Sequence, residues 1–340
     1  MDFTLTEEQA LLRDSARSLL TNECPPSLVR AHVDDPAASD VLFDRHLREW
    51  VALGDGPLVD LALFCQEAGR VLLPGPHLAT TALFLPLLRA ADLQAEADRA
   101  AAGELVGTVA LAGRDGRWVV DPVSDDPVRT FVPEADRVDV VAVVVPGPAV
   151  VLVDAPPTGL RHVSTLDATR RVFEVDVPSG SDAAGTPIAV EDLAAVVAGA
   201  TVAVAAELVG VARWLLEASV AYAKERIQFD VPVGSFQGLQ WELVDMALDV
   251  ERADAAVAYA AMAVDAGDPD RFRAVPVAKA AAGEAARHCA KVGMQVHGGI
   301  GYTWEHDLHL YLRRAYAGDA FLGDAAWQHD RLAALLFDRA

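Results

Sequence analysis

Apolar positions along the chain follow two spacings, and the change from one to the other divides it. Up to about residue 104 they recur at helical intervals. Thr6-Glu-Glu-Gln9 opens the first such run: Thr6 is placed to cap a helix, and the early carboxylates suit its dipole. Pro25-Pro26 is expected to end that helix. Helical patterning resumes over Phe43 to Leu53 and Leu58 to Val71, breaks at Pro74-Gly-Pro76, and continues from His77 to Leu93. From about 106 to 188 the apolar runs become short and Val-rich, separated by Gly, Pro and Asp. Val106 to Leu111, Trp118 to Val120, Val138 to Val145, Val150 to Val153 and Arg171 to Val177 predict the strands of a compact β domain. After the turn-rich stretch Pro178 to Pro187 the helical spacing returns. Val190 to Glu225 is apolar on most faces, as a buried bundle helix is. Phe236 to Ala266, Arg273 to Val296 and the pieces from Glu305 onward complete a four-helix-type arrangement. The expected fold class is α+β, mainly α, with an N-terminal helical domain over 1–104, a shortened β domain over 105–188 and a C-terminal helical bundle domain over 189–340.

Composition narrows this picture. A chain of 340 residues can bury a sizeable core, and 52% hydrophobic content with only 6% aromatic makes that core mostly Ala, Val and Leu. The net charge of −22 argues against nucleic acid and anionic membranes as partners, because phosphate binding needs clustered Lys and Arg. A few local arginines can still serve a small anion. Cys24, Cys65 and Cys289 show no metal-ligand spacing and read as buried free thiols of a cytoplasmic protein. The N-terminus lacks a signal-peptide pattern, and Pro146 and Pro148 break the most apolar run, so neither export nor a membrane span is expected.

The richest stretch for chemistry lies near the end. A helical segment, Ala278 to Met294, runs into Gly298, Gly299 and Gly301. Glycines there allow positive φ past a helix end and let another molecule approach the backbone closely. A bare Gly-Gly reads as an ordinary C-cap. Here Gln295 flanks it and the paired Arg313-Arg314 follow, which suits a polar, flat-sided ligand. Arg226 either pairs with Glu225 or Asp230 or reaches a ligand anion. His306 and His309, three apart, lack a third ligand of suitable spacing and read as structural, with no metal. Tyr302 and Trp304 read as packing around the turn. Glu207, Glu242 and Asp324 are the acids that stand as candidates for a base, each with a plain reading as a cap or a solvated charge.

Gln295-Val-His-Gly-Gly-Ile-Gly-Tyr-Thr-Trp-Glu-His-Asp-Leu-His-Leu-Tyr-Leu-Arg-Arg-Ala315 is similar to the C-terminal signature of the flavin-dependent acyl-CoA dehydrogenase family. Arg226-Ile-Gln-Phe229-Asp-Val-Pro-Val-Gly234-Ser-Phe236-Gln237 resembles that family's Arg-x-x-Phe-Gly-x-Pro-Ile-Gly-x-Phe-Gln segment, with Asp230 where Gly is usual. The resemblance implies the family's fold: helical N-terminal domain, middle β domain, C-terminal four-helix bundle. It also implies FAD held at a subunit interface, with Arg226, Phe229, Gln237, Gln295, Gly298 and Gly299 reaching the cofactor seated mainly on a neighbour.

Other family features are missing. The family's catalytic glutamate lies in a Tyr-Glu-Gly-Thr stretch. A gap-free count from the glycine turn puts Phe321-Leu322-Gly323-Asp324 there, so Leu322 stands at the base position. The alternative base position falls on Ala200, beside Thr201 where a substrate-contacting arginine is common. The Thr-Glu-Pro loop and Trp-x-Thr strand that touch the flavin edge have no counterpart in Ala110 to Trp118, and the loop between Trp50 and Leu58 is short. This combination implies one subunit of a heteromeric acyl-CoA dehydrogenase, such as a heterotetramer, whose homologous partner carries the base. The implied substrate is an acyl-CoA, and the trimmed loop is compatible with a bulky one such as a steroid side chain. Two alternatives stay open: a non-catalytic structural or regulatory homodimer, and a homomeric flavin oxidase or monooxygenase.

Overall fold

The computed structural model describes residues 3–179 and 185–337. Part of the expected linker Pro178 to Pro187 lies outside these residues. Helices run through the N-terminal third: α1 (Glu7–Glu23), α2 (Pro26–Asp34), α3 (Asp40–Leu42), α4 (Leu58–Arg70), α5 (His77–Ala79), α6 (Leu85–Ala90) and α7 (Gln94–Ala101). Strands follow: β1 (Gly107–Ala110), β2 (Val128–Pro133), β3 (Val140–Val145), β4 (Ala149–Asp154), β5 (Arg161–Val163), β6 (Val172–Asp176) and β7 (Thr186–Pro187). The remainder is helical, comprising α8 (Val190–Glu225), α9 (Gln237–Asp265), α10 (Arg271–His297), α11 (Leu308–Ala320) and α12 (Ala325–Phe337). A small hairpin, β8 (Ile227–Gln228) and β9 (Val231–Pro232), joins α8 to α9. The mainly helical α+β class read from the sequence is the one observed.

By contacts the chain forms two compact units. One comprises Met1–Leu20, Ala62–Leu73 and Val204–Ala340; the other comprises Thr21–Leu61 and Pro74–Ala203. The second unit holds both larger sheets. β1-β3-β4-β7 has β1 parallel to β3 and antiparallel pairs elsewhere, and β2-β6-β5 is antiparallel throughout. Val132, Val141, Val143, Phe173 and Val175 form their common core.

Several local expectations change. Trp118 to Val120 is not a strand; Trp118 is instead a buried anchor in a loop. β2 escaped the sequence pattern because Arg129 interrupts its apolar run. That guanidinium is buried, donating to the carbonyls of Val144, Asp126 and Ser124, and burial lowers its pKa. Pro26 does not merely end α1. It opens α2 from the first turn, where a missing N–H costs nothing. Phe43–Leu47 is a π-helical turn and Arg48–Asp55 a 3₁₀ helix, not one α-helix. The start of α1 is as expected: Gln9 N donates to Thr6 Oγ1 and Thr6 N to Gln9 Oε1, both at 3.1 Å, a reciprocal cap.

In the first unit, the end of α4 crosses α8 at glycines. A methyl on Gly69 would run into the carbonyl of Glu207, and one on Gly210 into that of Gln66. Backbone-to-backbone approach there sets α8 as the central helix. α8 is also long and apolar enough by composition to cross a membrane, but 78% of its most apolar window is buried inside the protein. That burial is what a core helix shows.

Candidate functional site

The site builds from two helix ends in the first unit. At the end of α8, Arg226 N donates to Tyr222 O and Val233 N donates to Arg226 O, each at 2.8 Å, closing the β8–β9 hairpin. Its turn residues, Phe229 (φ 53°) and Asp230 (φ 64°), are both left-handed. Such a two-residue turn favours Gly, Asn or Asp, so Asp230 can stand where the family has glycine. Phe229 is 87% exposed, with Phe236 edge-on at 6.2 Å. Gln237 is the first residue of α9 and is exposed.

The second end is that of α10. Gly298 caps it with φ 60°, its N–H donating to Met294 O, and a 3₁₀ turn spans Gly298–Tyr302. A Cβ on Gly298 or Gly299 would meet nothing within 4 Å, whereas Gly301 is packed against Met294, Leu308 and His297. Positive φ belongs to Gly298; Gly299 needs none. Tyr222 stacks on His297 with centroids 4.4 Å apart. This contact joins the two ends, because Tyr222 lies one turn before Arg226 and His297 adjoins Gly298. Among the described residues, the side chains of Arg226, Gln237 and Gln295 are exposed and make no hydrogen bond or ion pair. The pairing of Arg226 with Glu225 or Asp230 that the sequence left open is not observed.

Other expectations fall differently. The Arg313-Arg314 pair is split: Arg314 is buried with its Nη1 2.7 Å from Glu207 Oε1, while Arg313 lies over the Trp304 ring at 5.5 Å. Glu207 is therefore neither a cap nor a solvated charge. Asp324 is a cap, accepting from Trp327 N at 2.8 Å, and Glu242 is exposed. Tyr302 and Trp304 are 75% and 61% exposed, so they are not buried packing. His306 precedes α11 instead of sharing a helix with His309. It lies 4.8 Å from His297, while His309 meets the edge of Trp304 at 4.5 Å. No cluster of three or more metal-ligating side chains occurs among the described residues. His297 carries the junction of the two ends and was not singled out from sequence; the signal available was its place as the last residue before the glycine turn.

Leu322 is 1% exposed with φ 60°. Its segment is firmly held. Lys279, fully buried in α10, donates to Asp319 O at 2.6 Å and Gly323 O at 3.0 Å, and Gln328 Nε2 donates to Leu322 O at 2.9 Å. Burial pushes Lys279 down to about 8, against the pull of Asp319 and Asp324, which leaves it protonated at neutral pH. Ala200 is buried, and Thr201 donates to Val197 O at 2.7 Å. Neither has an ionisable side chain.

Residues 196–337 match the family described as acyl-CoA dehydrogenase, C-terminal domain. Over 330 residues the chain is 34% identical to acyl-CoA dehydrogenase IpdE2 of Mycobacterium tuberculosis, covering 94% of each. It is 30% identical over 344 residues to the protein of that name from Mycolicibacterium smegmatis, covering 98% of this chain and all of the other. The chain belongs to the acyl-CoA dehydrogenase family. Among solved structures it is similar to the ChsE4-ChsE5 complex of Mycobacterium tuberculosis, with TM-score 0.84, 25% identity and 99% of each chain covered. It shares its fold with the Tcur3481-Tcur3483 steroid ACAD, at TM-score 0.86 and 24% identity over 99% of each chain.

Proposed function

We propose that this chain is one subunit of a heteromeric FAD-dependent acyl-CoA dehydrogenase, supplying part of a cofactor clamp across the interface while a homologous subunit supplies the base. The observation that carries this reading is the set of unspent groups at the joined helix ends: Arg226, Gln237 and Gln295 have no protein partner among the described residues. Around them lie an exposed Phe229 and an open Gly298–Gly299 turn. These fit a dinucleotide. A guanidinium serves the diphosphate, amides serve polar rims, and bare glycines give close approach.

When bound, FAD supplies the hydride acceptor for α,β-dehydrogenation of an acyl thioester. The same reaction needs a base for the α-proton. Leu322 has no atom that accepts a proton, and neither has Ala200. The base therefore comes from elsewhere, and a homologous partner is the economical source. An apolar face supports such a partner: Trp241, Val244 and Leu248 on α9 are 64%, 55% and 63% exposed at helical spacing. Beside them runs an open groove of about 590 Å³ lined by Leu216, Val220, Leu243 and Ala247. The likeness to a ChsE4-ChsE5 complex favours a related but non-identical subunit as the occupant. The short segment before α4 and the likeness to a steroid ACAD favour a bulky acyl group.

Co-expression tests this. Alone, the chain is expected to aggregate or bind FAD poorly; with a homologous subunit carrying a glutamate base it is expected to be soluble, yellow and active. A stable, flavin-saturated homo-oligomer of this chain alone overturns the heteromeric reading.

A further inference from the structure

His297 closes α10 with its ring 4% exposed. Its Nδ1 lies 2.8 Å from Gly293 O one turn back. A carbonyl only accepts, so Nδ1 carries the hydrogen, and Nε2 bears the lone pair of the neutral ring. That Nε2 is buried and meets no hydrogen-bonding partner among the described residues. The titratable groups packed on the ring are Tyr222, stacked from α8, and His306, at 4.8 Å from the segment before α11. Glu305 and Asp307 flank His306 in sequence, and Gly301 packs against His297, Met294 and Leu308. Burial lowers the pKa of His297; the Gly293 bond opposes this and His306 adds a smaller downward push.

A buried acceptor without a partner is unfavourable, and it can be satisfied in two ways. Either a donor reaches it, or it takes a proton and becomes a donor itself. The turn that follows is open at Gly298 and Gly299, and it is the point at which the proposed function brings in a diphosphate. Phosphate oxygens accept and do not donate, so only the second way suits that ligand. Placement reinforces it. The C-terminal end of α10 favours a cation, and an anion docked at a helix C-terminus needs nearby positive charge. Arg226 at the end of α8 supplies one such charge, and a protonated His297 supplies the next.

We infer that His297 is a diphosphate-binding residue that acts in its protonated form, so that docking of an organic diphosphate at the Gly298–Gly299 turn draws one proton from solvent onto its Nε2. The inference rests on the cofactor reading above and deepens it. Two ligands of this enzyme class carry such a diphosphate, FAD and coenzyme A. The flavin-stripped complex of the chain with its partner is titrated with FAD, and separately with coenzyme A, by calorimetry at pH 7.5 in two buffers of different ionisation enthalpy. Uptake approaching one proton per ligand is expected, with the dissociation constant rising up to tenfold per pH unit across the linked range. The ligand that shows uptake identifies the diphosphate concerned. His297→Asn keeps an amide N–H for Gly293 while removing Nε2, and is expected to abolish both the uptake and the pH dependence. His306→Asn, which leaves His297 in place, is expected to retain them.

Zero uptake in the wild-type complex overturns the inference even if a variant fails to fold. Equal uptake in wild type and His297→Asn overturns it too, as does uptake lost only in His306→Asn. Each of these leaves FAD binding, and so the proposed function, intact. A wild-type complex that binds no FAD sinks the cofactor reading itself, and coenzyme A uptake then decides whether the turn binds a diphosphate at all.

Discussion

Arg314 has its guanidinium 2.7 Å from Glu207 with both side chains almost fully buried, so its charge is committed to the interior. Removing one member of such a pair strands the other charge away from water, whereas removing both relieves that cost. Arg314→Met is therefore expected to destabilise the protein by about 3–5 kcal/mol, and the double change with Glu207→Leu by much less. Urea denaturation followed by circular dichroism measures the difference; losses of the two single variants that simply add in the double variant would show that the pair is not coupled. This residue also marks a limit of the sequence. Two adjacent arginines after a glycine turn looked alike, yet one lies over an exposed tryptophan and the other is in the core. The partner that separates them, Glu207, is 107 positions away, and no local pattern carries a pairing over that distance. Arg226 is the opposite case: two acids stand close by in sequence, but it pairs with neither.

At the scale of elements, spacing located the long helices to within about two residues, because α8, α9 and α10 are long enough for apolar periodicity to show through interruptions such as the buried Lys279. It failed at short strands that polar side chains interrupt. β2 was missed on account of Arg129, and β5 is a short strand with two exposed polar residues among its three. The glycine turn was legible as an element, although its positive φ sits at Gly298 and not at Gly299. That difference sharpens a substitution. A Cβ on Gly299 meets no protein atom within 4 Å and the backbone there needs no positive φ, so Gly299→Val is expected to leave thermal stability nearly unchanged. If a ligand must approach the turn, the β-branched side chain occupies its space, and the complex is expected to lose most of its flavin. Visible absorbance after gel filtration reports the outcome. Full retention of flavin would reduce the turn to a helix cap.

For the whole molecule, the family resemblance was legible because two long motifs survive, one at the α8–α9 junction and one at the α10–α11 junction. The proposed division of chemistry between subunits is the part that a single chain cannot display, because it would place the base on another molecule. It can be tested by locating the base. Leu322 is held by Lys279 and Gln328 through the backbone of its own segment, so trimming its side chain should cost packing alone, about 2–5 kcal/mol for a buried leucine. Leu322→Ala in the assembled complex is thus expected to keep most of its turnover at temperatures where it stays folded. Asp324→Asn and Glu242→Gln are expected to keep it too, since one carboxylate caps α12 and the other is solvated. A positioned general base is typically worth about two to four orders of magnitude in rate. Loss on that scale, with FAD still bound, is expected only from the partner's glutamate. Were Asp324→Asn or Glu242→Gln to abolish turnover while the flavin spectrum stayed intact, the base would lie in this chain and the two subunits would have exchanged roles. Arg226→Ala separates cofactor retention from chemistry: it is expected to lower flavin occupancy, with activity falling in proportion, although on the proposed function the base lies on the other subunit.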